Sequence, residues 1–294
     1  MNEKYAFIAA EKAHDTYPVV KMCTWLAVSR SAFYDWLHRA PSARARRRQT
    51  LAGLVAATFR TSRGRYGARR IAVVLRRSGH EISVRLAGEL MAEQGLKACQ
   101  PRPFRRTTLP GTPTAVPDLV GQNFTAERPG TKLVGDITYV RTWTGWLYVA
   151  TVIDCYSRKV VGWAADTHMR TSLVTAALRM AAGTGRLEHN CIFHSDRGAQ
   201  YSSAEFAAEV ARLGLRASMG RTGICWDNAL AESFFAALKN ELVYPTAFPT
   251  PRHARRALVD YIEKFYNRQR LHSALGYRTP AEVEAEHYQN LIAA

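Results

Sequence analysis

The spacing of apolar residues changes along the chain, and one stretch in its C-terminal third has the period of a helix. From residue 230 to residue 242, leucine or phenylalanine recurs at every fourth position, which predicts an amphipathic helix that buries one face. The side chain of Asp227 or Asn228 is expected to cap its first turn. Glu232 and Lys239 stand about two helical turns apart, so both should lie along one edge of the apolar stripe.

Five apolar runs rich in β-branched residues lie upstream of this helix and are separated by turn-forming residues. The first three are joined by short turns, which predicts an antiparallel meander. The last two alternate with amphipathic helical patterns, which predicts a mixed α/β sheet with helices on its faces. The strands are expected over residues 132–142, 146–153, 158–165, 191–196 and 215–219, and the helices over 171–182 and 203–213.

The N-terminal third carries short helical patterns separated by turns. Two helices around a tight turn are expected within residues 18–39, with Ser29 capping the second, which is the pattern of a helix-turn-helix. A second such unit is expected within residues 51–96, where Ser83 caps the last helix. Any small helical hairpin would have the same pattern. The predicted helices cover residues 19–26, 30–37, 51–60, 68–77 and 84–94, and the arginine-rich run at 44–48 is a solvated linker or a helix start.

The remaining segments suggest where the chain divides. Residues 97–130 contain six prolines and no steady period, which predicts an extended linker. Residues 252–266 and the stretch from Pro280 are expected to be helical, and the basic cluster between them either closes the fold or contacts DNA. The expected units are 1–50, 51–96, 97–130, 131–245 and 246–294.

Positive charge is concentrated at the N-terminal end. The net charge is +17, and residues 1–110 carry 21 Lys and Arg against 7 Asp and Glu. A basic helical segment joined to a nearly neutral body suggests a nucleic-acid-binding module on an enzyme-like domain, although a solvated surface has the same composition. The residues singled out as DNA contacts are Arg30, Arg69, Arg70, Arg85 and, in the C-terminal helix, Lys239.

Composition excludes several other classes. The five cysteines form no CxxC pair, which argues against a zinc site and fits a reduced compartment. No apolar run approaches the ~20 residues that span a bilayer, and the first residues lack the apolar core of a signal peptide. We therefore expect a cytoplasmic, nucleoid-associated protein without a membrane partner.

Three carboxylates are the candidate catalytic residues. Asp136 lies inside the first predicted strand, Asp196 ends the fourth, and Glu232 is on the amphipathic helix. An aspartate inside a strand is costly unless it is hydrogen-bonded or bound to a metal, and nothing obvious in the strand offers a cation. Asp154 is a rival carboxylate, but it lies at a hairpin turn, where aspartate is common for conformational reasons.

Carboxylates without a Cys/His ligand set favour a hard cation. Mg²⁺ is the natural choice, with Mn²⁺ as its substitute, because it keeps water ligands and binds phosphate oxygens. Two ions about 3.5–4 Å apart can activate a nucleophile and stabilise the leaving oxygen of a phosphodiester. In that arrangement Asp136 would bridge both ions, and Asp196 and Glu232 would hold one each.

The motifs around these carboxylates resemble one protein family. DITYV, VIDCYSRKVVGW, HSDRGAQYSS, GICWDNALAESFFAALKNEL and FYNRQRLHSALGYRTPAE resemble OrfB-type transposases of bacterial insertion sequences, within the DDE transposase and retroviral-integrase superfamily. RYGARRIAVVLRR is similar to the family's N-terminal helix-turn-helix. The resemblance covers about residues 18–285 and implies a ribonuclease-H-like core. Gly135 departs from it, because a threonine is usual there.

The resemblance implies a mechanism and roles for further residues. Water attacks at the element's end and frees a 3′-hydroxyl, which then attacks another phosphodiester in the same site, without a covalent enzyme intermediate. Lys239 would position DNA near the attacked phosphate, or it belongs to a solvated helix face. His194 would orient Asp196 or simply pack in the core. Asn228 and Trp226 would contact DNA near the cleaved end, although a cap and a packing aromatic explain them as well.

The expected partners are the element's terminal inverted repeats and the target DNA. The resemblance also implies a homo-oligomer on DNA and an upstream-frame OrfA product, as a fusion or a partner. Two other functions fit part of the pattern: a DNA-binding regulator with an inert core, and a nuclease that stops at hydrolysis. The intact carboxylate set weighs against the first, and the two helix-turn-helix units weigh against the second.

Overall fold

The computed structural model describes residues 2–14, 17–99, 116–220 and 228–293. Within these ranges, no helix is both long and apolar enough to cross a membrane. The N-terminal part is helical and the C-terminal part is built on one mixed sheet, which confirms the fold class expected from the sequence. Asp227 and Trp226, two residues singled out above, lie outside the described residues.

The sheet has five strands in the order β3-β2-β1-β4-β5. The first three form the expected antiparallel meander, and β4 and β5 add to β1 in parallel. This is the ribonuclease-H-like arrangement, with β1 at the centre. The strands are β1 (Lys132–Thr142), β2 (Gly145–Asp154), β3 (Val160–Asp166), β4 (Ile192–Ser195) and β5 (Arg216–Met219).

Helices cover both faces of the sheet. Successive side chains of a strand point to opposite faces, so the apolar residues of β1 pack against helices on each side. Leu133 of β1 packs in one cluster with helices α7 and α8, whereas Val134 packs on the opposite face in a cluster that contains Leu230, Phe234 and Leu238. These helices are α7 (Thr171–Ala182), α8 (Ala204–Arg212) and α9 (Ala229–Leu238), and a π-helical turn, Lys239–Val243, continues α9. The predicted apolar stripe is therefore confirmed as the buried face of α9.

One glycine marks a close approach inside the sheet. A Cβ atom on Gly135 would lie 2.3 Å from Cζ of Phe193 on the neighbouring strand β4. The Phe193 ring is almost fully buried and packs against Phe206 with centroids 5.3 Å apart. The Phe193 ring thus fills the space beside Gly135, and the packing of this chain requires glycine at that position.

The N-terminal part contains six helices within the described residues, in two groups. Helices α1 to α3 enclose a small cluster around Ile8 and Phe33, and Ser29 caps α3 as expected. Helix α1 was not anticipated from the sequence. Helix α4 begins after Ser42, which caps it, and therefore runs through residue 50, where a boundary was expected. The helices are α1 (Asn2–Ala13), α2 (Val19–Trp25), α3 (Arg30–His38), α4 (Ala43–Thr61), α5 (Ala68–Arg77) and α6 (Val84–Glu93).

The second group packs on the C-terminal part of the chain. Apolar residues of α4 to α6 belong to the same buried cluster as α9 and the C-terminal helices. The hydroxyl of Tyr66 donates to the carbonyl of Gln269 at 2.6 Å, and the buried guanidinium of Arg65 donates to the carbonyl of Glu241 at 3.2 Å. The region 51–96 is consequently docked on the core rather than joined to it only by a linker.

The expected extended linker is corrected by the structure over its second half. Residues 116–130 lie against the core as a strap: the carbonyl of Pro117 accepts from the amide of Met219 at 3.1 Å, and the amide of Leu119 donates to Ser218 Oγ at 2.8 Å. Val120 is buried. These hydrogen bonds with the edge strand β5 satisfy backbone amides and carbonyls of the strap and of the strand. The amino-acid composition of residues 116–130 does not indicate them. Residues 100–115 lie outside the described residues.

The C-terminal segment closes the fold. Arg270 forms a buried ion pair with Glu241, with Nη2 and Oε1 2.7 Å apart, and Tyr261 donates to the same carboxylate at 2.9 Å. Arg278 pairs with Glu286. The fold-closing interpretation of this basic cluster therefore holds for Arg270, whereas the pair of Arg278 is exposed and local to the C-terminal segment. The helices here are α10 (Pro251–Val259), with a π-helical continuation over Asp260–Tyr266, and α11 (Pro280–Ala293).

Candidate active site

The pairing of β1 with β4 brings two of the candidate carboxylates to the same end of the sheet. Val134 is the register partner of His194; Asp136 lies two residues further along β1, and Asp196 follows Ser195, the last residue of β4. Because side chains alternate, Asp136 belongs to the face that α9 covers, as Val134 does. The charge of Asp196 raises the pKa of Asp136, so the two groups are close enough to repel each other.

Asp136 is held in an environment that disfavours its charge. Burial, followed by the charge of Asp196 and then that of Glu232, raises the pKa of Asp136 to about 8. The amide of Ile137, which donates to Oδ1 at 2.7 Å, and the cation of Lys239 oppose this shift. At neutral pH the carboxyl without a bound cation therefore retains a proton, and a divalent cation would displace it.

Asp196 follows the last residue of β4, at the end of the strand. Its side chain reaches water, and Oδ1 accepts from the amide of Gly198 at 3.1 Å. Burial of its inner side raises the pKa of this carboxyl, whereas the hydrogen bond from the Gly198 amide and the charge of His194 lower it. A carboxylate at the carboxyl end of a strand, open to solvent and beside a second carboxylate, has the exposure that a ligand to substrate-bound cations needs.

Glu232 and Lys239 complete the charged group from the helix above. Both are half-buried on one side of α9, as their spacing predicted, and both influence the pKa of Asp136. Burial raises the pKa of Glu232. Burial lowers the pKa of Lys239, and the charge of Asp136 counteracts that shift. The site thus contains three carboxylates and one ammonium group, and burial penalises the charged form of each of them.

Two buried polar atoms near Asp136 have no hydrogen-bond partner among the described residues. They are Thr151 Oγ1 and Asn228 Oδ1. Thr151 is the register partner of Asp136 on β2, so its hydroxyl lies on the same face. Asn228 occupies the start of α9 but makes no side-chain cap, which corrects one expectation. Its amide instead donates to the carbonyl of Gly135 at 3.2 Å and ties α9 to β1.

His194 is buried beneath the site rather than open to it. It is 1% exposed; its Nδ1 lies 2.8 Å from Ser218 Oγ and 3.8 Å from Asp118 Oδ1. Phe124 packs against its ring with centroids 6.1 Å apart. Since Asp118 and Phe124 belong to the strap, His194 connects the strap to the strand that carries Asp196. This placement supports an orienting and packing role.

The donor set fits a hard divalent cation. Within the described ranges, no three His, Cys, Asp or Glu side chains stand close enough to hold a metal as they are. The groups gathered around Asp136 nevertheless offer oxygen donors, and the unpartnered oxygens of Thr151 and Asn228 are the kind that water bound to an ion would satisfy. The rival Asp154 is excluded: it accepts hydrogen bonds from the amides of Gly130 and Ser157 at the far end of β2.

Comparison with known proteins places this geometry in a family. Two models described as "Integrase core domain" match residues 126–225 and 213–280, and an "HTH-like domain" model matches residues 46–104. The InsF transposase of insertion sequence IS3A from Escherichia coli K12 is 40% identical over 285 residues, which cover 96% of this chain and 98% of that protein. The chain belongs to the IS3-type family of insertion-sequence transposases.

A second transposase agrees with this assignment. The transposase of insertion sequence element IS904 from Lactococcus lactis is 36% identical over 249 residues, 84% of this chain and 98% of its own. Among solved structures, the HTLV-2 integrase catalytic core in complex with magnesium is a distant likeness, with 16% identity and a TM-score of 0.41 over 54% of this chain and 98% of that one. The simian T-cell lymphotropic virus intasome gives 16% identity and a TM-score of 0.46 over 78% and 74% of the two chains.

The arginines expected to contact DNA differ in how the transposase displays them. Arg30 on α3 and Arg69 on α5 are exposed. Arg85 is exposed and pairs with Glu89 one turn later on α6. Arg70 turns inward instead: its Nε donates to the carbonyl of Leu271 at 2.9 Å. Arg70 therefore helps to dock α5 on the core and is removed from the free basic surface.

Proposed function

We propose that this transposase cleaves DNA at the ends of its insertion sequence and joins the freed 3′-hydroxyl to target DNA, using Asp136, Asp196 and Glu232 as ligands for Mg²⁺. One observation carries the proposal. Burial and then the charges of Asp196 and Glu232 raise the pKa of Asp136 to about 8. At neutral pH either a proton or a cation must offset the repulsion between these carboxylates, and a divalent cation can displace the proton, so the cluster is a candidate metal site.

The residues would share the work as follows. Asp136 on β1 and Asp196 at the end of β4 would hold the ions, with Glu232 approaching from α9. When bound, two such cations supply charge stabilisation to the attacking and leaving oxygens of a phosphodiester; Mn²⁺ would serve in place of Mg²⁺. Lys239 would hold a phosphate by its charge, since its ammonium group lies close enough to Asp136 to influence its pKa.

The proposed reaction needs no nucleophile from the protein. Water attacks the phosphodiester at the element's end, and the bond to the 3′-oxygen breaks to leave a 3′-hydroxyl. That hydroxyl attacks a target phosphodiester, and the displaced 3′-oxygen leaves with a proton. Because both steps are displacements at phosphorus with similar charge development, one carboxylate site can serve both.

The partners follow from the same proposal. The exposed arginines of α3, α5 and α6 would contact the terminal inverted repeats through phosphates. We also propose a homo-oligomer on DNA and an OrfA-type partner or fusion encoded upstream. The expected result is weak end binding by this chain alone in a gel shift and tight binding with the upstream product. Tight, sequence-specific binding by the chain alone would contradict the requirement for that partner.

Strand transfer tests the catalytic proposal. Pre-nicked element-end DNA is incubated with target DNA in Mg²⁺, and wild type is compared with Glu232→Gln. Removal of a ligand should reduce joining by at least about 100-fold (~3 kcal/mol of barrier). Glu205→Gln is the matched control, because Glu205 also lies in the first turn of a helix but is exposed on the opposite face of the sheet. Joining unaffected by Glu232→Gln would remove the proposed site, and hydrolysis without joining would favour a nuclease.

A further inference from the structure

An exposed aromatic surface lies on the hairpin formed by β1 and β2. Tyr139 is 54% exposed, Trp143 at the turn is 75% exposed, and Trp146 is 45% exposed. These three residues are called the hairpin platform below. Clusters of large exposed aromatic side chains on a water-soluble surface commonly mark a binding site. The fold itself leaves these rings on the surface, outside the buried clusters on either face of the sheet.

The platform is held rigidly. The rings of Tyr139 and Trp146 meet edge to face, with centroids 5.2 Å apart and planes at 89°. Thr142 donates to the carbonyl of Gly145 at 2.8 Å across the turn, and the amide of Trp143 donates to the carbonyl of Phe248 at 3.0 Å. The hairpin tip is therefore fixed to the core, and little conformational entropy would be lost when a ligand binds to the rings.

The platform is connected to the candidate active site. Lys239 Nζ lies 5.3 Å from the centre of the Tyr139 ring, and Lys239 directly follows α9, the helix that carries Glu232. Tyr139 is three residues beyond Asp136 on β1, about 10 Å along the strand, and its side chain leaves the strand on the opposite face, so Lys239 is the link between the two. At 3.4 Å per nucleotide of one strand, this distance is about three nucleotides of DNA.

The charge around the platform indicates what it binds. Residues 137–148 contain no Asp or Glu, and the exposed Arg141 is the cross-strand partner of Trp146. Aromatic rings flanked by cations are the arrangement by which proteins hold unpaired nucleotides: bases stack on the rings while the cations meet the phosphates. Bases inside a duplex are stacked on one another and cannot offer their faces to a ring.

We propose that the hairpin platform stacks unpaired bases of the DNA end whose phosphodiester occupies the carboxylate site. This inference rests on the proposed function, since it places the base-binding surface beside the reacting phosphate. The platform would hold the strand a few nucleotides from the point of attack and keep the end of the duplex open. The occupant is single-stranded DNA, and a second copy of this chain is the competing occupant.

Binding without metal tests the platform separately from catalysis. The affinity of the full chain for a labelled oligo(dT) is measured by fluorescence anisotropy in EDTA and compared with that for an abasic strand of equal length. The ratio of the two affinities isolates the contribution of the bases. Stacking contributes about 1–3 kcal/mol per base, so Trp146→Leu or Tyr139→Leu should reduce the ratio at least about fivefold, and Tyr139→Phe should retain it.

The controls separate the possible outcomes. Tyr156→Leu should leave the ratio unchanged, because Tyr156 is also in an edge-to-face pair, with His287 at 5.4 Å, but lies beyond the opposite end of β2. The assay contains EDTA and does not depend on metal binding by the carboxylates, so failure of the catalytic proposal is distinguishable from failure of this one. Equal ratios in wild type and in both leucine variants would overturn the proposal. A change of oligomeric state in Trp146→Leu during sedimentation, with an unchanged ratio, would assign the platform to a second copy instead.

Discussion

Replacing Asp136 by asparagine should stabilise the metal-free transposase while abolishing its activity. The pKa of this carboxyl is about 8 in the folded protein, against 3.8 for the unperturbed group. The folded state therefore binds the proton more tightly than the unfolded state. As the pH rises from about 4 to about 8, the carboxyl ionises in the unfolded state first, which lowers the free energy of unfolding. Above pH 8 this loss of stability is constant. Asparagine has the same shape, carries no charge and can still accept the amide of Ile137.

The magnitude follows from the interval between the two pKa values. Each unit corresponds to 1.36 kcal/mol, so at pH 7 the ionisation of the unfolded state is worth at most about 4 kcal/mol. The Asp136 side chain keeps part of its surface in water, and solvent screening reduces this penalty. We expect Asp136→Asn to raise the free energy of unfolding by about 2 kcal/mol at pH 7.5 and by only about 0.5 kcal/mol at pH 4.5.

Urea unfolding in EDTA at pH 4.5 and pH 7.5 measures both values. Asp166→Asn is the control, because Asp166 is a partly exposed aspartate at the end of β3 whose carboxylate also accepts the amide of the next residue, Thr167, at 2.7 Å, and its replacement should change stability by less than ~0.5 kcal/mol at either pH. Saturating Mg²⁺ should narrow the difference in free energy of unfolding between Asp136→Asn and wild type, since a cation that binds only the folded wild type stabilises it. An Asn variant no more stable than wild type at pH 7.5 without metal would refute the electrostatic account of the site.

Three further substitutions test other parts of the structure. Arg270→Met should lower the free energy of unfolding by about 3–5 kcal/mol, because Glu241 would remain buried without its cation; a loss below ~1 kcal/mol in chemical denaturation would contradict this. Gly135→Thr should destabilise the fold by about 1–3 kcal/mol through its clash with the buried Phe193 ring, and adding Phe193→Leu should recover part of the loss if the clash is the cause. Thr151→Val should leave the free energy of unfolding unchanged or raise it, since it removes a buried hydroxyl with no partner among the described residues. The same substitution should weaken Mg²⁺-dependent strand transfer about tenfold. Unaltered Mg²⁺ dependence of strand transfer would count against a role for Thr151.

The sheet was largely predictable because its signal is local. Alternating and β-branched runs gave the bounds of β1 exactly and those of β2 to β5 within two residues. The four-residue apolar repeat gave the buried face of α9. The spacing of Asp136, Asp196 and Glu232 predicted a shared site, and the influence of Asp196 and Glu232 on the pKa of Asp136 supports that prediction.

Other features depend on contacts between distant residues and could not be predicted in this way. The strap over residues 116–130 is rich in proline and has no period, and its place on β5 is decided by backbone bonds such as the one from Met219 to Pro117. Charge alone did not show that Arg70 turns inward toward Leu271. Of the two alternatives for the arginine-rich run at 44–48, the helix start is confirmed: α4 begins at Ala43, because Ser42 caps it and the arginines that follow are good helix formers.

One missed residue did leave a signal. The hairpin turn pairs Thr142 with Gly145, and counting back along both strands pairs Asp136 with Thr151. A polar residue directly opposite a catalytic candidate, between two apolar residues of the same face, could have been noticed from the sequence. Asp118 and Ser218, the partners of His194, left no such signal because they are separated by 100 residues of chain.

The metal-binding claim is tested most directly by anomalous diffraction from crystals of the full chain, bound to element-end DNA and equilibrated with Mn²⁺. We expect two anomalous peaks about 3.5–4 Å apart between the carboxylates of Asp136, Asp196 and Glu232. Both peaks should be lost in Glu232→Gln. Ordered end DNA at the site with no Mn²⁺ bound by these carboxylates would contradict the metal-binding claim.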